Sequence, residues 1–436
     1  MTRTTTERPA VSAARRRSLI GPALIGAAAL TALAACSSGG GGAAATPTAS
    51  AATGSAPAAS ATGSSSSGVA SYVSQAQSLL DKAAASAVTG PSFGVVPAGQ
   101  LVPWSASDMP APTALVTGKP ITVDVMVLLP SGFDLYAAHV IQAIGHQIGW
   151  KVNVISATSP TQAGALAAMQ QAVLEKPTAI LAGAAPASWV APALAEAKAK
   201  GIYTIDLHQD DSTGAGYDAY VPVAEGVQKA LLGAWAVAQS KGMAKVMVVE
   251  APGFSDVNSP AAQDYLKTCS DCTTMLQQFN PTVFTDPIQT QSTLSAALAT
   301  HSDTNYVIWP TGALPLQPAL NGITSSQAKG AALLADGADP GSVQLLKSGQ
   351  VPVVVQNPDA LVALAALDDV NRMAQGKPAI AEAALRFPIS YWTPQDSPAP
   401  NYTSITTAQL KVNDWLTPYE QAWKVSLKPA ILGVAS

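Results

Sequence analysis

From position 121 onward the chain alternates short apolar, β-branched runs with alanine-rich stretches whose apolar positions follow a helical period. The runs fall at 121–130, 152–156, 179–182, 203–207, 245–250, 275–279, 306–309, 331–335 and 351–355, with helices predicted between them over stretches such as 160–174, 189–200, 226–239 and 358–375. Strands that are apolar on both faces and separated by single helices belong to parallel sheets, because parallel neighbours need a crossover connection. A break at 220–225 divides the series, so the pattern predicts an α/β fold of two doubly wound parallel-sheet lobes. In open sheets of this kind ligands sit beyond the carboxyl ends of the strands. Function is therefore to be sought at those ends.

Ahead of the first strand, Val73, Ala76, Leu79, Leu80 and Ala83 predict a helix over 71–85, and a Pro/Gly-rich passage then runs to Lys119. Residues 37–68 are Ser, Gly, Ala and Thr with almost nothing to bury, which predicts a flexible linker. A length of 436 residues suits about two or three domains. The mean hydropathy of +0.22 is carried mostly by alanine, and no stretch after residue 40 holds the roughly 18 uncharged apolar residues of a membrane span.

Of 23 basic and 27 acidic residues, five arginines and Glu7 precede Cys36, leaving 18 against 26 beyond it, a net charge of −8. That balance excludes nucleic acid, whose binding rests on neutralising phosphates. Only Arg372 and Arg386 remain there to clamp an anion, so an anionic ligand is disfavoured as well.

The leader reads Arg15-Arg16-Arg17, an apolar stretch over 19–35, then Leu33-Ala34-Ala35-Cys36. It resembles a bacterial lipoprotein signal with its lipobox, and the choice between Sec and twin-arginine export stays open. The resemblance implies a diacylglycerol thioether on Cys36 and an extracytoplasmic protein held on the cell membrane by its lipid alone. Cys269-Ser-Asp-Cys272 is expected to close as a local disulfide, since export permits oxidation. A thioredoxin-like pair would open a helix after a strand, whereas this one follows a helical pattern. No second Cys or His pair stands at zinc-ligand spacing, and no metal or cofactor is expected.

Three strand ends ahead of residue 331 carry candidate ligand groups. After the first, Phe133 and Tyr136 offer flat apolar faces and Asp134 a hydrogen-bonding carboxylate, although a capped helix with core aromatics reads the same way. His139 and His146 share that helix without a third metal ligand. The fourth strand ends in Asp206 and His208, and the run at 306–309 holds Trp309, whose ring serves packing as readily as binding. Gly90-Pro-Ser-Phe-Gly94 matches a nucleophile-elbow pattern but precedes the first strand, and four scattered histidines supply little acid–base machinery. Binding without catalysis is expected.

The stretch 333–358 contains Asp336-Gly337 after a strand and ends at Gln356-Asn357-Pro358, and the next predicted helix closes at Gly376-Lys377. These residues resemble the ribose/galactose-type sugar-binding proteins of ABC importers, which have the type I periplasmic-binding-protein fold. The resemblance implies that Asp336 accepts from ligand hydroxyls, that Gln356 lies on a hinge strand, and that hinges fall near Pro222, Gln356 and Pro388. It places 69–118 as a wrapping segment, 119–221 with 357–388 in one lobe, and 222–356 with 389–436 in the other. It implies capture of a small sugar-like ligand by hinge closure, and an ABC permease as partner. Two departures stand out: no arginine lies near His208 or within 258–263, and Thr311-Gly312 replaces the family's asparagine. A receptor serving a signalling partner and a cell-surface hydrolase are the rival readings.

Overall fold

The computed structural model describes residues 65–91, 96–129, 132–208, 216–250, 252, 259–310, 316–412 and 414–434. Cys36 and the linker up to residue 64 lie outside them. Helix α1 (Ser65–Ser86) starts earlier than its pattern suggested and buries Tyr72, Ala76, Leu79, Leu80 and Ala83. A short antiparallel pair follows, β1 (Val88–Thr89) with β2 (Val102–Pro103).

The first large sheet comprises β3 (Thr122–Val127), β4 (Lys151–Ser156), β5 (Ala179–Gly183), β6 (Tyr203–Leu207) and β7 (Ala219–Val221), all parallel in the order β4-β3-β5-β6-β7. Its crossovers are α2 (Gly132–Gln147), α3 (Gln162–Glu175) and α4 (Ala187–Ala199). Along β3, Val123, Val125 and Val127 enter one core with Ile141 and Ile144 of α2, while Met126 and Leu128 enter another with Met169 of α3 and Val190 of α4. Both faces are covered, which is why the run reads as mainly apolar sequence, broken within the sheet by the buried Asp124 that accepts from Asn153. Gly145 permits the close seat of α2 on β4, since a Cβ there would lie 2.2 Å from Val152 Cγ2.

The chain then passes through α5 (Glu225–Gln239), β8 (Lys245–Glu250), α6 (Ser259–Leu266), β9 (Thr273–Gln278), α7 (Pro287–Thr300), β10 (Tyr306–Trp309), α8 (Leu316–Ser325), β11 (Ala332–Ala335), α9 (Pro340–Lys347) and β12 (Val354–Val355). Helix α10 (Asp359–Ala374) returns to pack on α2 and β6, after which β13 (Tyr391–Trp392) pairs antiparallel with β12. The second sheet thus has the order β13-β12-β11-β10-β8-β9, and the chain passes from the first sheet to the second after β7, back to the first with α10 and again to the second at β13. This is the doubly wound architecture the alternation predicts. The pattern misses β7, β13 and the β1–β2 pair, each three residues or fewer.

Helices α11 (Tyr402–Val412), α12 (Thr417–Trp423) and α13 (Lys428–Leu432) finish the chain. The resemblance put 389–436 with the second lobe, and β13 does join the second sheet. The closing helices correct the rest: Tyr402 stacks on Tyr136 of α2 at 4.1 Å, α13 packs on α2, and Trp423 Nε1 donates to Thr113 O, whose residue is bonded to Asp368 of α10. Their apolar faces meet α2 and α10 because those helices are left uncovered on that side.

Cys269 and Cys272 are disulfide-bonded, and Tyr72 donates to Asp271 between them at 2.6 Å. Among the described residues no helix is long and apolar enough to cross a membrane.

Candidate functional site

The carboxyl ends of both sheets and the crossing segments gather a set of buried polar groups. On the second sheet, β11 delivers Asp336 at its end, and Gly337 follows with φ +82°, a conformation open to glycine without strain. The carboxylate is buried and accepts from Lys229 Nζ at 2.5 Å through Oδ2, while Oδ1 has no partner. Lys229, on α5, is wholly buried and also donates to Pro310 O at 2.5 Å. Burial pushes the Asp336 carboxyl above its ordinary range, opposed by the adjacent ammonium. The cleft thus contains a cation, though a lysine rather than an arginine. Sequence reading passed over it. The available signal was Gln228-Lys229 inside a run, 226–237, that is otherwise apolar or glycine and entirely buried.

At the middle crossing, Gln228 Nε2 donates to Gln356 O at 2.8 Å and to Asn357 Oδ1 at 2.6 Å. Gln356 N donates to Ser390 O at 2.9 Å, and Gln409 Nε2 of α11 donates to Asn357 O at 2.6 Å. Side-chain amides therefore tie crossing segments that share no sheet. The Gln356 Nε2 group is buried without an acceptor.

On the first sheet, Asp134 sits in the first turn of α2 and accepts from His208 Nδ1 at 2.8 Å, both side chains being buried. Its Oδ2 has no partner. His208 follows β6 with φ +68°, an unusual strain for a non-glycine residue at a strand end. Asp206 is buried within β6, and its charge, after burial itself, helps raise the Tyr217 hydroxyl. Asp359 opens α10 immediately beyond the middle crossing. It is 3% exposed, and Oδ1 has no hydrogen-bond partner. Burial, then the charges of Asp134 and Asp339, push its carboxyl well up.

The predicted residues divide accordingly. Asp134 and His208 meet, while Asp336 and Gln356 end neighbouring strands with unpartnered atoms. Tyr136 is packed: its ring lies against Tyr402, its hydroxyl bonds Thr406, and burial, with the Asp359 charge nearby, takes it up to about 12. Trp309 is wholly buried and packs edge-on against Phe284 at 5.3 Å, a core placement. Phe133 belongs to the first turn of α2, and its side chain is outside the described set. Among the described residues no group of three or more His, Cys, Asp or Glu is arranged to hold a metal ion.

Comparison with known proteins gives a consistent picture. A family model described as a periplasmic binding protein domain matches residues 129–378. No curated protein sequence matches the chain. Among solved structures, a glucose-galactose binding protein from Geobacillus stearothermophilus is 14% identical with a TM-score of 0.56, covering 64% of this chain and 99% of its own. An ABC transporter solute binding protein from Agrobacterium vitis with bound allitol is 15% identical, TM-score 0.55, covering 67% and 99%. A carbohydrate transporter from Acidothermus cellulolyticus in complex with myo-inositol is 16% identical, TM-score 0.51, covering 68% and 99%.

Proposed function

Because this chain belongs to the periplasmic binding protein family, we propose that it is the lipid-anchored capture component of an ABC importer, taking a small sugar-like ligand between two lobes without transforming it. The carrying observation is the pair of buried, unpartnered atoms Asp336 Oδ1 and Gln356 Nε2, an acceptor and a donor at the ends of β11 and β12. Buried polar groups left unpaired cost roughly 1–3 kcal/mol each, a cost that ligand hydroxyls would relieve. The solved structures of this fold holding allitol and myo-inositol support a polyhydroxylated ligand.

The first lobe comprises 119–221 with 357–388, to which the packing of α11 to α13 adds the closing helices, and the second lobe comprises 222–356 with β13. The open and closed forms interconvert about the three crossings. A ligand touching both lobes binds the closed form more tightly, and the permease reads that form. The Leu33-Ala34-Ala35-Cys36 signal supports acylation at Cys36 and an extracytoplasmic location on the cell membrane.

The test begins with native mass spectrometry of gently purified protein to identify a co-purifying molecule. Calorimetry with that molecule then compares wild type with Asp336→Asn. Loss of a charge-assisted hydrogen bond should weaken binding about ten- to hundredfold. Unchanged affinity would reduce Asp336 to the partner of Lys229 and remove it from the ligand site.

A further inference from the structure

Asp359 stands apart among the buried carboxylates at the strand ends, because like charges act on it and one of its oxygens has no partner. Asp336 is paired with Lys229 and Asp134 is hydrogen-bonded to His208, but Asp359, only 3% exposed, has no cation within salt-bridge distance among the described residues. Its neighbours make its position worse. Asp134 of α2 and Asp339, the N-cap of α9, both act on it as like charges. The hydroxyls of Tyr136 and Tyr402 add no cation, and His208 already donates to Asp134. A carboxylate removed from water without a partner is costly enough that it takes up a proton or finds a positive charge. Asp134, close enough for its charge to act on Asp359, also has a buried oxygen, Oδ2, without a partner.

Resting on the reading of this cleft as a sugar-like ligand site, we propose that its ligand carries a protonated amine, which Asp359 and Asp134 receive together while hydroxyl groups occupy Asp336 and Gln356. The class is an amino sugar or aminocyclitol. A neutral polyol would pair the oxygens but offer no charge to balance an ionised Asp359. An ammonium supplies both hydrogen bonds and the missing charge. In the unliganded protein burial and the neighbouring like charges favour the protonated form of Asp359. Seating the ammonium makes the ionised form the favoured one, so that proton leaves to solvent on binding.

The experiment uses the full-length protein and matched pairs: D-glucosamine against D-glucose, D-galactosamine against D-galactose, and an aminodeoxy-inositol against myo-inositol. Each is titrated calorimetrically at about pH 6 in two buffers of different ionisation enthalpy. The amine member of at least one pair should bind about tenfold or more tightly than its neutral partner and release a proton, seen as a buffer-dependent enthalpy. Asp359→Asn, which keeps the side-chain size and removes the buried charge, should fold at least as stably as wild type. It should bring the pair to near parity and abolish proton release. Equal binding of amine and neutral members, or an amine preference untouched by Asp359→Asn, overturns the inference and leaves the sugar-like reading intact. Failure of every member to bind overturns both.

Discussion

Lys229 and Asp336 illustrate how a buried pair differs from its separate members. Together they cost little, but either one alone is an uncompensated charge in a dry site. Lys229→Met should therefore lower stability by about 3–5 kcal/mol, and adding Asp336→Asn to it should restore most of that loss. Urea denaturation of the two variants checks both statements. A second residue-scale expectation concerns Asp369 of α10. Its carboxyl accepts from Ile380 N at 2.6 Å, and burial takes it from 3.8 up to about 7. The folded state then keeps a proton that the unfolded chain has already released. The stabilising contribution is complete below the unfolded value and is lost as pH rises through about 7, amounting to up to about 4 kcal/mol. Asp369→Asn retains the acceptor without the charge, so its gain in melting temperature over wild type should grow between about pH 5 and pH 8. A gain independent of pH would refute the assignment. Single residues were also the least legible scale. Asp134, His208, Asp336 and Gln356 are legible as candidates because strand ends are a general address for ligands, and the structure places them there as buried polar groups. Tyr136 and Trp309 were placed there by the same rule, yet the closing helix α11 and Phe284 claim them for packing. Asp359 passed as an ordinary helix-start acid after Asn357-Pro358.

Elements were read more securely, because a strand covered on both faces must be apolar throughout and nothing else in the chain has that length and spacing. The nine longer runs all became strands, whereas β7 and β13, with three and two residues, carry too few positions for any period. The run at 351–355 contracts to β12 at Val354–Val355, since Pro352 has no amide hydrogen for a ladder. What composition does not reveal is how closely elements approach. Gly145 decides the spacing of α2 and β4, and Gly145→Ala should cost about 1–3 kcal/mol, because the new Cβ meets Val152 and the helix must lift or the valine turn. Thermal unfolding of that variant checks it, and an unchanged midpoint would mean that the contact relaxes freely.

At the scale of the whole molecule, attachment to the membrane is expected to rest on Cys36 alone. Cys36→Ser should move the protein from the membrane fraction to the soluble one, and a variant fractionating like wild type would refute the lipobox reading. The two-lobe plan was visible in the break at 220–225, but the company kept by the C-terminal helices was not, because an amphipathic helix does not announce which surface it will cover. Their placement bears on how such a chain can be divided. Thr113 donates to Asp368 through both its amide and its hydroxyl, Val116 N donates to Asn371 at 2.8 Å, and Gln409 reaches Asn357 from the far end of the sequence. Helix α10 is thus clasped by residues both upstream and downstream of 129–378, the part by which the family is recognised. A fragment cut at those two positions would leave Asp368 and Asn371 without these partners and strip the cover from α2. The unit of kinship is shorter than the unit of folding, and a graft, chimera or biosensor built from this protein has to carry its flanks along with it.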